Sequence, residues 1–165
     1  RRRVRNFMRL AGARKIVKSR FCPSFFEKRD EFKYEALVGM GGNIGDSAKR
    51  FDRFIRAITS DSRFHVVEVS PILINVAFGY EAQDDFSNAV INLQTSMSPR
   101  NLLKILSHYE SKFKRVRTFK NAPRTLDLDI LYFSKKVYKT PRLIVPHPGA
   151  DKRLSVIVPL GLMRS

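Results

Sequence analysis

Carboxylates are scarce in this chain. Fifteen Asp and Glu stand against 32 Lys and Arg, a formal net charge of +17 over 165 residues. An excess of that size favours an anionic partner: phosphate groups, nucleic acid or a lipid surface. Cysteine is scarcer still. Cys22 stands alone, so no intrachain disulfide can form and no Cys/His cluster has zinc spacing. A reducing, cytoplasmic setting fits that usage. No run approaches the ~20 apolar residues of a membrane span. The N-terminal segment also lacks the apolar core of a secretory signal. Neither an internal repeat nor a low-complexity tract is evident. The glycine spacing G-x-G-x-x-G is missing too: in "GMGGNIGD" (39–46) the third Gly would have to stand at Ile44. With no Walker Lys-Ser/Thr either, this stretch reads as a tight turn needing positive φ.

What is present divides at about residue 33. Residues 1–33 carry twelve basic and three acidic side chains, a net +9, which leaves +8 for the other 132 residues. Val4, Phe7, Met8 and Ala11 recur at i, i+3, i+4, i+7, which predicts a short basic amphipathic helix. Lys15 interrupts that stripe and Cys22-Pro23 ends it. The segment is expected to be either a helix packed on a domain spanning 34–165 or a loose basic arm beside it. Its Arg-rich, acid-poor composition is shared by some transit peptides, the weaker reading. A chain that begins with Arg1 rather than Met points to a start further upstream.

From residue 35 the pattern is regular. "EALVGM" reads as a strand, and Asp46 as the N-cap of a helix whose buried stripe is Phe51, Phe54, Ile55 and Ile58. "FHVVEVS" is a second strand, 71–85 a long irregular connection, and "FSNAVINLQT" a third strand. Ser98-Pro99 opens a second helix with Leu102, Ile105, Leu106, Tyr109 and Phe113 inward. A basic loop, "KRVRTFKNAPR", leads to a last strand. The order β-α-β-β-α-β predicts an α+β fold of ferredoxin-like plan. Both helices cover one sheet face, and the other is open for a site.

The last strand, within "PRTLDLDILYF", carries the chemistry. Alternation puts Asp127 and Asp129 on one face, about 7 Å apart, with Leu126, Leu128 and Ile130 on the other. Two like charges side by side are costly. One explanation is neutralisation by nearby Arg. The other is Mg²⁺, which takes one or two carboxylates and completes its shell with water and phosphates. Arg115, Arg117, Lys120 and Arg124 lie just upstream. Alone they could be a solvated loop, but Arg forks match phosphate oxygens. Cations beside metal-binding acids suit phosphoryl chemistry. Glu110, four residues before Lys114, reads as half of an exposed i,i+4 pair. His147 sits in "VPHPG", held between prolines as a ligand contact or a structural residue.

Together these motifs resemble the 6-hydroxymethyl-7,8-dihydropterin pyrophosphokinase family, over about Ala36 to Leu160. "GGNIGD" resembles its first loop, G-S-N-L-G-D. "DFSNAVINLQTSMSP" resembles its central D-Y-L-N-A-A-V segment. "APRTLDLDILYF" is similar to its signature G-P-R-x-x-D-L-D-I, and "RLIVPHPGADKRLSVIVPL" to its closing motif. The resemblance implies ATP as co-substrate, two Mg²⁺ ions and release of AMP. It assigns Asp127 and Asp129 to metal and Arg115 and Arg124 to catalysis. Arg117, Arg142, His147 and Arg153, with Glu110 and Ile130, fall in the ATP-contact set. Asn75, Phe78, Phe86 and Asn88 fall in the pterin-contact set. Ser155 departs from the family: a pterin-stacking Phe usually stands there, and Phe119 or Phe78 could replace it. No strong general base stands out. The rival is an RNA-recognition module on the same fold plan. Nothing matches its aromatic sheet motif, and the aspartates would repel a phosphate backbone. The expected partners are therefore ATP and the pterin, with no membrane and no nucleic acid. Contact with other folate-pathway enzymes stays open.

Overall fold

The computed structural model describes residues 13–75, 85–113, 125–134, 138–146 and 163. Its centre is an antiparallel sheet. In chain order the elements are β1 (Ala13–Val17), β2 (Ser24–Phe25), β3 (Tyr34–Gly42), α1 (Ser47–Thr59), β4 (Phe64–Val69), β5 (Ile72–Asn75), β6 (Phe86–Thr95), α2 (Pro99–Lys112), β7 (Asp127–Phe133), β8 (Tyr138–Lys139) and β9 (Ile144–Val145). β3 lies between β6 and β7. The C-terminal half of β6 pairs with β4 and its N-terminal end with β5. β8 and β9 form a separate small hairpin.

Both helices carry the expected stripes and caps. Phe51, Phe54, Ile55 and Ile58 of α1 are buried, as are Leu102, Leu106 and Tyr109 of α2. They share one cluster with Val38 and Met40 of β3, Ile91 and Leu93 of β6, and Leu128 and Ile130 of β7, so both helices cover one sheet face. Phe54 binds them together through edge-on contacts with Tyr109 and Phe113, at 5.4 and 6.3 Å between ring centroids. Asp46 accepts the Lys49 N–H and Ser98 the Asn101 N–H, so each helix begins at the cap its sequence provides. Gly45, at φ +64°, supplies the left-handed turn before α1.

The connection 71–85 is not wholly irregular. Pro71 has no N–H for the ladder, and the chain kinks there without leaving the sheet. Ser70 bridges the break: its Oγ accepts the Val90 N–H at 2.8 Å and donates to Pro71 O at 2.9 Å. β5 then resumes pairing with β6.

The N-terminal segment departs further from expectation. The helix expected near residues 4–11 lies outside the described residues. Beyond it, Ala13–Val17 is a strand on β5, across the point where Lys15 breaks the helical stripe, and Ser24–Phe25 pairs with β4. A partner strand decides this conformation, which local periodicity cannot register. Asp52 of α1 holds the segment between them. It accepts from Ser19 Oγ (2.8 Å), Arg20 N (3.2 Å) and Phe21 N (3.0 Å). Cys22 is fully buried, and burial pushes its thiol up to about 12, which makes it an inert packing group. Gln94 clamps the far end, accepting from Arg29 N and donating to Arg29 O. Gln94 lies on the sheet face away from the helices, so one end of that face is covered. Among the described residues no helix is long and apolar enough to cross a membrane.

Asp52→Ala should remove three charge-assisted bonds and lower stability by about 1–3 kcal/mol. The expected result is a lower urea midpoint together with faster tryptic cleavage within 13–33. A second outcome concerns acid. Arg63 donates to both oxygens of Asp61 (2.9 and 2.6 Å), and Tyr109 adds a third side-chain bond from α2 (2.9 Å). The Arg63 bonds hold the Asp61 carboxyl down at about 2. A depressed folded-state value means stability that is full above the ordinary carboxylate range near 3.9 and lost as pH falls through about 2. Melting curves of wild type and Asp61→Asn should therefore converge as pH is lowered from 4 to 2.

Candidate active site

β7 follows the alternation of its sequence. Leu128 and Ile130 enter the helix-side core, while Asp127 and Asp129 are half-exposed on the other face. Register then matters. Gly41 stands opposite Asp127 and Gly39 opposite Asp129, so the neighbouring strand sets no side chain beside either carboxylate. A bulge follows: Leu37 pairs with Tyr132 but Val38 with Ile130. The extra residue, Leu131, packs on the open face with Val90, closing that end with apolar surface.

The same row continues across the sheet. Gly41 also faces Asn88 of β6, so Asp127, Gly41 and Asn88 line up over three adjacent strands. At about 4.8 Å per strand, the outer two backbones are roughly 10 Å apart. Asn88 Nδ2 donates to Asn75 Oδ1 at 2.7 Å, which fixes both amides. A Cβ at Gly41 would lie 3.1 Å from Asn88 Oδ1, so glycine leaves that amide its orientation. Phe86 pairs with Asn75 and is half-buried. Asn75, Phe86 and Asn88, assigned to the pterin, are thus brought together at one end of the open face. Asn43, in the turn after β3, is buried beside this end and was not singled out from the sequence.

Glu110 corrects a sequence expectation. It is 5% exposed, and its Oε2 accepts the Leu128 N–H at 2.9 Å. The i,i+4 spacing to Lys114 suggested a solvated pair. Instead α2 turns this carboxylate to the edge of β7, between the two aspartates in sequence. The Ile130 side chain lies in the core, leaving only its backbone for a ligand.

Arg142 is exposed in the β8–β9 hairpin and lines a cavity of about 800 Å³ between that hairpin and α2. Leu103, Ser107 and Leu143 give it walls, and Arg100 and Lys104 add positive charge. Thr140 and Leu143 exchange backbone bonds at 2.9 and 3.3 Å, which shapes the hairpin wall. Leu103, Ser107 and Glu110 follow one another at i, i+4, i+7 on one helix face. That spacing was legible, but nothing marked Ser107 as polar lining. Arg115, Arg117, Arg124, His147, Arg153 and Phe78 lie outside the described residues, as do Phe119 and Ser155.

The donor set fits a hard cation. Two carboxylates on one strand face, with only glycines opposite them on β3, are the kind of oxygen donors that Mg²⁺ takes together with water and phosphate. Among the described residues no group of three or more His, Cys, Asp or Glu could hold a metal alone. An all-protein cage is therefore not what these residues offer.

Two carboxylates on one sheet face and a cavity lined by Arg100, Lys104 and Arg142 suit a phosphoryl-transfer enzyme. Within that class the match is specific. Residues 37–164 match the model of the family described as 7,8-dihydro-6-hydroxymethylpterin-pyrophosphokinase (HPPK). The 2-amino-4-hydroxy-6-hydroxymethyldihydropteridine pyrophosphokinase of Campylobacter jejuni is 53% identical over 156 residues, covering 94% of this chain and 99% of that one. The Helicobacter pylori protein of the same name is 39% identical over 92% of this chain and 94% of its own length. That of Bacillus subtilis is 36% identical over 76% and 75%. The chain belongs to this family, and it transfers pyrophosphate from ATP to hydroxymethyldihydropterin in folate biosynthesis. The C. jejuni alignment takes in most of the N-terminal segment, which precedes the family model.

Glu110→Leu should leave the Leu128 N–H without its acceptor in a buried place. A loss of about 1–3 kcal/mol is expected, and turnover measured well below the melting temperature should also fall. Glu110→Gln keeps an acceptor oxygen and should recover most of the stability.

Proposed function

We propose that the open face around Asp127, Gly41 and Asn88 is where the two substrates meet. The observation that carries this reading is the register that sets Gly41 and Gly39 against Asp127 and Asp129. Asn75, Asn88 and Phe86, with Phe78, hold the pterin: the amides bond its polar edge and the aromatic groups cover its faces. ATP takes the cavity beside α2, with Arg142 in its lining and Glu110 further along the same helix face. A cavity of about 800 Å³ is of the size that small ligands occupy. Arg117, His147, Arg153 and the Ile130 backbone complete that set.

In the reaction the pterin hydroxymethyl oxygen attacks the β-phosphorus. A new O–P bond forms, the bond from that phosphorus to the α-phosphate bridging oxygen breaks, and AMP leaves. The hydroxyl proton passes to solvent water as the attack proceeds. Asp127 and Asp129 would hold two Mg²⁺ ions, which would offset polyphosphate charge and polarise the hydroxyl. Arg115 and Arg124 meet the charge that moves toward the leaving oxygen. The fixed amides of Asn75 and Asn88 keep the pterin oriented, and positioning of this kind supplies much of the rate. No strong general base stands out among the residues assigned.

The strand order β4-β6-β3-β7 with both helices on one face supports the ferredoxin-like plan. We read residues 1–33 as a basic extension that is part of the fold from β1 onward. The single, buried cysteine suits the cytoplasm.

The test is product identity. Mixed with MgATP and the reduced hydroxymethylpterin, the protein should release AMP; ADP would overturn the reading. Asp127→Asn and Asp129→Asn should each lower turnover by about 10³-fold or more, the equivalent of several kcal/mol. Both variants should melt at or slightly above the wild-type temperature without metal, because like charges have been removed. Full activity in either would remove the metal assignment.

A further inference from the structure

The ladder between β3 and β7 ends at the Gly41–Asp127 pair. Asp127 is therefore the last paired residue of its strand, where a ladder frays. Just beyond it on the β3 side comes the turn 43–46, and on the β7 side Leu126 and Thr125. Arg50, in the first turn of α1, spans these two ends. Its Nη1 donates to Ile44 O at 2.6 Å and to Thr125 O at 3.1 Å. The guanidinium lies against the turn: a Cβ at Gly45 would meet Nη2 at an ordinary contact distance of 3.4 Å. Burial, then the neighbouring Arg53, work against the charge at this place, and Asp46 at the end of the turn partly offsets them. A neutral side chain would avoid that cost. The two N–H groups of one guanidinium nitrogen, Nη1, instead reach both carbonyls at once.

We propose that Arg50 is a positioning residue for the reaction: it fastens the 43–46 turn to the start of β7 and so holds Asp127 at the frayed end of the ladder. Arg50 acts on backbone carbonyls and touches neither substrate. The proposal rests on the reading of Asp127 as a metal ligand. The arrangement extends sheet pairing by one side chain, past the point where the two strands diverge.

The test uses the full chain with Arg50→Gln and Arg50→Lys, each compared with wild type and with Asp127→Asn. The expected result for Arg50→Gln is a tenfold or greater fall in kcat at saturating substrates, with the pterin KM within threefold. Without metal or substrate, hydrogen exchange at amides 44–46 and 126–127 should quicken at least tenfold, with the rest of β7 unchanged. The Mg²⁺ concentration that half-saturates the melting-temperature shift with α,β-methylene ATP should rise at least threefold. Arg50→Lys, which keeps the charge and one reach to carbonyl, should fall between. Arg50→Gln with kcat within twofold, or with unchanged exchange at those amides, overturns the proposal. If Arg50→Gln does not fold, Arg50→Lys decides by the same limits, and wild-type kcat and exchange in that variant overturn it. If Asp127→Asn is fully active while Arg50→Gln loses rate and protection, the metal reading fails and the fastening stands.

Discussion

One pairing register governs the site. β3 runs beside β7 so that two glycines face two aspartates, and a shift of one residue would turn the aspartates into the helix-side core. Several features keep that register in place. Leu128 and Ile130 are drawn into the core with Val38 and Met40. Glu110 receives the Leu128 N–H from outside. The bulge at Leu131 closes the far end, and after it Phe133 returns to the core. The apolar half of β7 thus fixes where its polar half points. The same alternation that buries leucine on one side presents carboxylate on the other.

Polar groups also attach the outlying segments. Asp52 gathers three donors from residues 19–21, Gln94 clasps both polar atoms of the Arg29 backbone, and Ser70 carries the ladder past Pro71. Each group is wholly or partly withdrawn from water, where an unpaired donor or acceptor is costly, so each contact is specific to one placement. The consequence for the site is indirect but physical. The N-terminal segment covers the Gln94 end of the non-helical face, away from the Asp127–Asn88 end where we propose that the substrates meet.

Much of this was legible in the sequence. The stripe of α1, both N-caps and the split of β7 into core and polar faces follow from periods of 3.6 and 2, which are local. The β5 strand was less visible, because it is short and follows a proline. β1 and β2 were invisible to periodicity. They lie in a basic segment whose apolar spacing suggests a helix, and their strand form depends on partners more than fifty or forty residues away in the chain. Glu110 was misread for a related reason. A glutamate four residues from a lysine carries the same signature whether it is solvated or turned to a strand edge. Of the candidate site, the carboxylates and asparagines were found by alternation and motif, whereas the cavity beside α2 was not. Its lining comes from a helix face and a hairpin that only the fold brings together.

The glycines expose the conflict that the site resolves. Glycine in a strand interior costs about 0.5–1 kcal/mol relative to alanine, and 39 and 41 are both interior to β3, one of the two central strands. For folding alone, a β-branched residue at either place would be the better choice. At Gly39 there is even room for a first carbon, since a Cβ would meet Leu131 at an ordinary 3.5 Å. At Gly41 the fit is tighter, because the Asn88 amide oxygen would lie 3.1 Å away and would have to give by a few tenths of an ångström. Larger side chains at the two positions would stand beside the two carboxylates. The sheet is therefore weakest in intrinsic preference at the row where we propose its chemistry to lie. The stability that this arrangement gives up is offset by the buried aromatic and aliphatic contacts on the opposite face, where Phe54 joins α1 to α2 and no ligand has to enter.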